Sequence, residues 1–293
     1  MNILVLGRTG QVGSAVTRAL SGLHRVTALG RAELDLMVPG AVAAAVRAAR
    51  PELIVNAAAW TAVDRAEAEP EAAHRVNAGA VAELAAASGG APVIHYSTDY
   101  VFDGRGSTPF RETDPTGPLN VYGASKRAGE QALAGIPHLV LRTSWVHAPG
   151  HANFIASMLR FATERESLRV VADQVGSPTS ADLIAAVTAR LVELYAAATP
   201  PRSGIYHLAA AGDVSWHGYA VYLVQAARAL GHPLRSHPGA IAPIASADFP
   251  QAARRPLNSR LDCGKLEALL GAALPDWREG VQATLRGQLG VPA

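Results

Sequence analysis

Five short apolar runs divide the first 145 residues, and none of them is patterned apolar on one side and polar on the other. They are NILVL (2–6), HRVTAL (24–29), ELIVNAA (52–58), APVIHYS (91–97) and HLVLRTSW (138–145). A strand with one face in water alternates in and out. A strand that is apolar throughout is covered on both faces, as in a parallel sheet between two layers of helices. Helix-like segments separate the runs: 11–20, an alanine-rich stretch over about 39–50, a long region interrupted at Pro70, and a helix carrying Tyr122. Strand and helix in alternation predict an α/β fold, a doubly wound parallel sheet of Rossmann type.

Beyond Trp145 the rhythm weakens. ANFIASMLRFATERE (152–166) and SADLIAAVTARLVELYAAA (180–198) read as helices and GIYHLA (204–209) as a strand. Loops rich in Pro, Gly and Ser, such as DQVGSPTS and residues 242–256, lie between them. We expect a dinucleotide-binding domain over 1–150. Residues 151–293 are expected to form mainly a smaller substrate-binding lobe, with room for the chain to cross back to the first domain.

A chain of 293 residues with 49% hydrophobic and 17% charged side chains buries a sizeable core and is not disordered. Its 26 Lys and Arg against 24 Asp and Glu leave a net charge of +2, with no basic block to mark a nucleic-acid partner. Cys263 is the single cysteine, so no internal disulfide points to an oxidising compartment. The amino terminus lacks the pattern of a cleaved leader, and no apolar run nears the roughly 18 to 20 residues that span a bilayer. A cytoplasmic protein without membrane partners is the expectation.

LVLGRTGQVGSAV places Gly7, Gly10 and Gly13 between the first strand and the first helix. Glycines there allow a tight turn, a close approach of backbone N–H groups to a pyrophosphate, and close packing of helix on sheet. The spacing is GxxGxxG, so the loop alone fits a plain strand-to-helix turn as well; its place at the first βα junction favours the dinucleotide. Where an acidic residue would hold the ribose of NAD, the sequence reads ALGRAELDL, with Gly30 and Arg31 at that position. An arginine suits a 2′-phosphate, which favours NADPH and leaves NADH as the alternative, with Asp35 close by.

NVYGASKRAGE carries Tyr122 and Lys126 four residues apart, on one face of a helix. An ammonium beside a phenol lowers its pKa from about 10 and makes it a usable proton donor to a developing alkoxide. The pair alone also fits an ordinary helix surface. Upstream, HYSTDYVFDG puts Ser97 and Thr98 just past a strand, at the carboxyl edge of the sheet where open α/β folds bind ligands. A hydroxyl there can hydrogen-bond a carbonyl oxygen.

Together, GRTGQVG, VNAAAWTAVDRAE, YSTDYVFDG, LNVYGASKRAGE, LRTSWV and RRPLNSRLD resemble the extended short-chain dehydrogenase/reductase family and, within it, the dTDP-4-dehydrorhamnose reductases. The resemblance runs from residue 1 to about 277. It implies hydride transfer from a nicotinamide cofactor to C4 of dTDP-4-dehydro-L-rhamnose, the last step of dTDP-rhamnose synthesis. Tyr122 would donate the proton, Lys126 would tune it and bind the nicotinamide ribose, and Thr98 would hydrogen-bond the reacting oxygen with Asp99 beside the sugar. Gly10, Gln11 and Val12, flanked by Gly7 and Gly13, match the pyrophosphate cradle. Gly30, Arg31, Asp35 and Leu36 match positions around the adenosine, and Ala57, Ala58 and Ala59 the small-residue turn after the third strand. Trp145 resembles a substrate-side tryptophan, with Asn153, Arg255 and Arg260 as further candidates for the sugar and diphosphate.

Two departures from related patterns carry information. Sugar-nucleotide 4,6-dehydratases resemble this fold but follow the threonine with Asp and Glu; here Asp99 and Tyr100 follow Thr98. Some reductases of the family hold Mg2+ at a dimer contact through an acidic residue early in the first helix. Ala15 stands in that region, which argues against that metal and leaves monomer and homodimer both open. Two rival readings stand beside the reductase. One is a noncatalytic cofactor-binding subunit resembling the regulatory partner of methionine adenosyltransferase; the other is a reductase or epimerase of another nucleotide sugar.

Overall fold

The computed structural model describes residues 1–292. Six strands form the main sheet: β1 (Asn2–Leu6), β2 (Arg25–Leu29), β3 (Leu53–Asn56), β4 (Val93–Thr98), β5 (His138–Thr143) and β10 (Gly204–His207). Their order is β2-β1-β3-β4-β5-β10, and every pairing is parallel. Short strands β6 (Val146–His147), β7 (Leu168–Val171), β8 (Val175–Gly176), β9 (Thr179–Ser180), β11 (Val214–Ser215) and β12 (Ile241–Ile244) make three two-stranded pairs outside it.

The unpatterned apolar runs follow from burial on both sides. Ile3 and Val5 of β1 join a cluster with Val16 and Leu20 of α1 (Gln11–Ser21) and with Ile184 and Leu191 of α8 (Ala181–Ala196). The alternate residues Leu4 and Leu6 face the other way. They meet Val42 and Val46 of α2 (Ala41–Ala49) and Val81 and Leu84 of α5 (Ala80–Ala87).

Between β3 and β4 the chain runs through α3 (Val63–Ala68), α4 (Pro70–His74), a π-helical turn at Arg75–Gly79, and α5. The π turn aims Asn77 inward. Its Oδ1 accepts the Trp60 N–H at 2.8 Å, and its Nδ2 donates to the Trp60 carbonyl at 3.0 Å and to Ser125 Oγ at 2.9 Å. One amide therefore ties the turn after β3 to α6 (Val121–Ala132), the helix that carries Tyr122 and Lys126.

A second cluster joins α7 (Phe154–Glu164), α9 (Trp216–Ala229) and α11 (Trp277–Leu289) around Ile155, Leu159, Tyr219, Leu223, Trp277 and Val281. The chain crosses back to the main sheet twice. Helix α8 packs on α1, and β10 extends the sheet beside β5, with α10 (Gly264–Leu270) packing on β10. Burying Ile184, Leu191 and Val192 of α8 contributes about 1.5–3 kcal/mol each, more than the few tenths per residue at stake in helix propensity. No helix among the described residues is long and apolar enough to cross a membrane.

Candidate active site

The sheet order reverses between β1 and β3, so their carboxyl ends flank a crevice where such folds bind ligands. Gly7 turns the chain there at φ +89°, and its N–H reaches the Leu29 carbonyl at 2.8 Å. A Cβ on Gly13 would stand 2.0 Å from the Gly7 carbonyl oxygen, so only a bare Cα lets α1 start against the turn. Gly10 caps α1 without a side-chain hydrogen bond, leaving the first N–H groups of the helix, from Gln11 and Val12 onward, free to meet an anion.

A cleft of about 230 Å³ opens beside this loop. Gly7, Gly10, Gly30, Arg31, Asp35, Leu36, Ala57, Ala58 and Ala59 line it. Val12 packs into the main core and Gly13 is buried behind the turn. Arg31 is exposed at the rim. A second cation lies near it: Arg8 pairs with Glu33 at 2.5 Å, and Glu33 also accepts the Gly30 N–H at 2.8 Å. Sequence reasoning passed over Arg8, because only folding brings it against Gly30 across 22 residues.

Thr98 ends β4, Asp99 opens the short 3-10 turn that follows, and Asn120 starts α6 by accepting the Gly123 N–H at 2.8 Å. This cap sets Tyr122 in the first turn, facing the end of β4. Thr98, Asp99 and Tyr122 line one cavity of about 370 Å³, together with Gln11, Trp145 and Asn153. Thr98 Oγ1 donates to Asp99 Oδ1 at 3.0 Å and accepts the Tyr100 N–H at 3.2 Å. Burial pushes the Asp99 carboxyl up to about 7, against the pull of the Ser259 and Thr98 hydroxyls.

Lys126 differs from the expectation. Its Nζ donates to the Tyr96 carbonyl at 2.6 Å and lies 3.2 Å from His95 Nε2, buried behind the cavity wall. The expected lowering of the phenol is absent: burial pushes Tyr122 up to about 12, only partly offset by the neighbouring Thr98 hydroxyl. The head of Lys126 is engaged with β4, at the Tyr96 carbonyl and the His95 ring. Burial brings Lys126 down to about 8, with Glu130 pulling the other way.

Trp145 holds a left-handed backbone at φ +47°, a strained conformation for a bulky residue. Its indole stacks on Trp216 at 3.6 Å, and a Cβ on Gly176 would stand 2.8 Å from its ring. Gly176→Ala should displace this indole at a cost of about 1–3 kcal/mol and raise the KM of the cavity's ligand. An unchanged tryptophan fluorescence spectrum and KM would count against it. Asn153 caps α7 and donates from Nδ2 to Gln11 Oε1 at 3.0 Å, joining the start of α7 to the start of α1.

Arg255 lines a neighbouring cleft with Tyr100, Phe154 and Trp216 and pairs with Asp64 at 2.7 Å. Burial alone would raise Asp64; the Ala253 N–H and the Arg255 guanidinium outweigh it and hold the carboxyl low. Arg260 lies outside these clefts, paired with Asp213 and bonded to Asn258 Oδ1 at 3.1 Å. Trp216, Phe154 and Tyr219 also line the cavity that holds Thr98 and Tyr122. The WHGY spacing of Trp216 and Tyr219 on one helix face was their only signal in the sequence.

A sequence profile described as the RmlD substrate binding domain matches residues 1–289. The chain belongs to this family. Relatives named dTDP-4-dehydrorhamnose reductase include that of Escherichia coli K12, 47% identical over 293 residues and covering 97% of each chain. Another, from Burkholderia thailandensis, is 46% identical over 301 residues and 99% of each chain. Among solved structures, the Bacillus anthracis dTDP-4-dehydrorhamnose reductase in complex with NADP superposes with a TM-score of 0.87 at 31% identity, covering 96% of this chain and 97% of the other. Membership in the RmlD family makes this chain similar over its whole length to sugar-nucleotide oxidoreductases of Rossmann-type fold.

Proposed function

We propose that this protein reduces the C4 keto group of dTDP-4-dehydro-L-rhamnose to give dTDP-L-rhamnose, with NADPH as reductant. The observation that carries the reading is the convergence of the Thr98 and Tyr122 side chains in one cavity with Gln11, the first residue of the helix whose amino end is open to an anion. The dinucleotide fits the residues present. Gly7 and Gly13 leave the backbone bare, the N–H groups at Gln11 and Val12 suit a pyrophosphate, and the alanine turn 57–59 leaves room for a flat ring. When bound, the nicotinamide supplies the hydride.

The chain's own groups do the rest. Tyr122, with its pKa near 12, holds its proton firmly at neutral pH, and an alkoxide forming at C4 is a stronger base than a phenolate. The proton therefore moves downhill from Tyr122 Oη to the C4 oxygen. Thr98 Oγ1 steadies that oxygen, and Asp99 beside it takes the remaining hydrogen bonds of the sugar. The phenolate left on Tyr122 regains its proton from water, and Lys126, one turn along α6, supplies a cation beside it once Nζ swings toward the cleft. Trp145 and Trp216 offer apolar faces to the sugar and base, and Arg255 a guanidinium to the diphosphate. Arg260 is left to a structural role. We place the reaction in the cytoplasm, with soluble substrates only.

Arg31→Ala should weaken NADPH about ten- to a hundredfold, the size of one charge-assisted hydrogen bond, and leave NADH nearly unchanged; equal effects on both would show that Arg31 does not read a 2′-phosphate. The function itself is tested by following NADPH and NADH oxidation against dTDP-4-dehydrorhamnose and its UDP counterpart. Turnover with the dTDP sugar supports the proposal. Cofactor binding without turnover would instead favour a regulatory subunit, and preference for the UDP sugar another nucleotide-sugar reductase.

A further inference from the structure

Behind the cavity a line of buried polar groups runs from the cofactor cleft to Lys126. The Ala58 N–H, in the turn that lines the cleft, donates to Asn56 Oδ1 at 3.2 Å. Asn56 Nδ2 lies 3.1 Å from His95 Nδ1, and His95 Nε2 lies 3.2 Å from Lys126 Nζ. His95 is fully buried, and Asn56 and Lys126 nearly so.

Donor and acceptor roles along this line are forced. The Ala58 N–H can only donate, so the oxygen of Asn56 must face it and the amide nitrogen must face His95. An amide nitrogen only donates, so His95 Nδ1 accepts. A neutral imidazole carries one proton, which then sits on Nε2 and points at Lys126 Nζ. His95 stays neutral, because its complete burial holds its pKa well below the usual histidine value. An ammonium at Nζ would meet this N–H donor to donor. A neutral amine accepts from it while donating to the Tyr96 carbonyl.

We infer that His95, its tautomer locked by Asn56, is a positioning residue whose Nε2–H disfavours the ammonium form of Lys126 in the free enzyme, an opposition relieved when Nζ swings away toward the cleft. The inference rests on the proposed function for its kinetic consequence, though not for its geometry. Other charged or titratable groups also face this lysine. Tyr122 lies one turn before it on α6 and Glu130 one turn after it; Arg142 on β5 is paired to Glu130, and Asp99 follows the last residue of β4. His138 at the start of β5 acts on His95. Of these, Glu130 favours the ammonium, so what opposes it is burial and the N–H of His95.

The direct test is nitrogen NMR of the free protein. His95 should show a protonated Nε2 and an unprotonated Nδ1 at neutral pH. A protonated Nδ1, with Nε2 accepting from an ammonium, would overturn the inference whether or not the protein proves to be a reductase. Two variants extend it. Asn56→Asp still accepts from Ala58 and now accepts from Nδ1–H, which reverses the tautomer. His95→Gln adds no charge and can turn its carbonyl toward Nζ.

Both variants raise the folded pKa of Lys126, so the ammonium survives to higher pH. The basic limb of kcat/KM, which reports the free enzyme, should move up by on the order of one pH unit, and the titration of Nζ followed by NMR should move with it. If both variants bind NADPH normally and the Nζ titration stays in place, His95 does not set the charge. Absence of any turnover in the wild type would remove the reductase reading and leave the NMR result to decide this one.

Discussion

Tyr122→Phe should lose roughly 10²- to 10⁴-fold in kcat, the ordinary worth of a positioned general acid, while NADPH affinity stays within experimental scatter. The substitution removes one oxygen and leaves the ring, whose edge-to-face contact with Tyr100 at 5.7 Å persists. It also removes a buried hydroxyl whose proton is held up to pH 12 by desolvation, so the folded protein loses no charge at neutral pH. A fall in both kcat and NADPH affinity would indicate damage to the cleft. An unchanged kcat would take the proton donor away from this residue.

Glu130→Ala should cost about 3–5 kcal/mol of stability, a large share of the 5–15 kcal/mol that holds a typical domain together. Arg142 and Glu130 form a two-pronged pair at 2.8 and 2.7 Å, with side chains only 3% and 5% exposed. Without the carboxylate, the guanidinium remains buried under Phe102, where the ring face at 4.9 Å cannot replace an anion. The pair fastens α6 to β5, and α6 carries both Tyr122 and Lys126. Denaturant unfolding should therefore show a large drop in midpoint with the slope unchanged. A loss below about 1 kcal/mol would mean that water or another anion reaches Arg142.

What the sequence revealed depended on how local each feature is. The apolar runs could be read as sheet strands because the inner strands are buried on both faces, as in β1, with Ile3 and Val5 on one side and Leu4 and Leu6 on the other; β2, at the sheet edge, is only half-buried. The glycine loop was equally legible, since Gly7 and Gly13 need their missing Cβ atoms within a seven-residue turn. Tyr122 and Thr98 could be paired in advance because a strand end and the next helix are short-range neighbours in this topology.

The features that escaped reading are contacts between distant segments. Arg8 meets Glu33, Gly176 meets Trp145, and Asn56 meets His95, each across a gap that no local pattern spans. The contacts of the Lys126 head escaped reading for the same reason. Spacing on a helix tells which face a side chain shares, whereas the carbonyl of Tyr96 and the ring of His95, which decide where its head goes, come from a different element. The strand pairs β6–β9 and β7–β12 have two to four residues each, too short to show a period.

The measurement that bears most directly on the chemistry is a crystal structure with oxidised NADP and dTDP-rhamnose bound together. The C4 hydroxyl oxygen should lie about 2.6–3.2 Å from both Tyr122 Oη and Thr98 Oγ1. A sugar bound with C4 facing away from Tyr122, in a cleft where the phenol bonds some other group, would contradict the assignment of proton donor and reacting carbon alike.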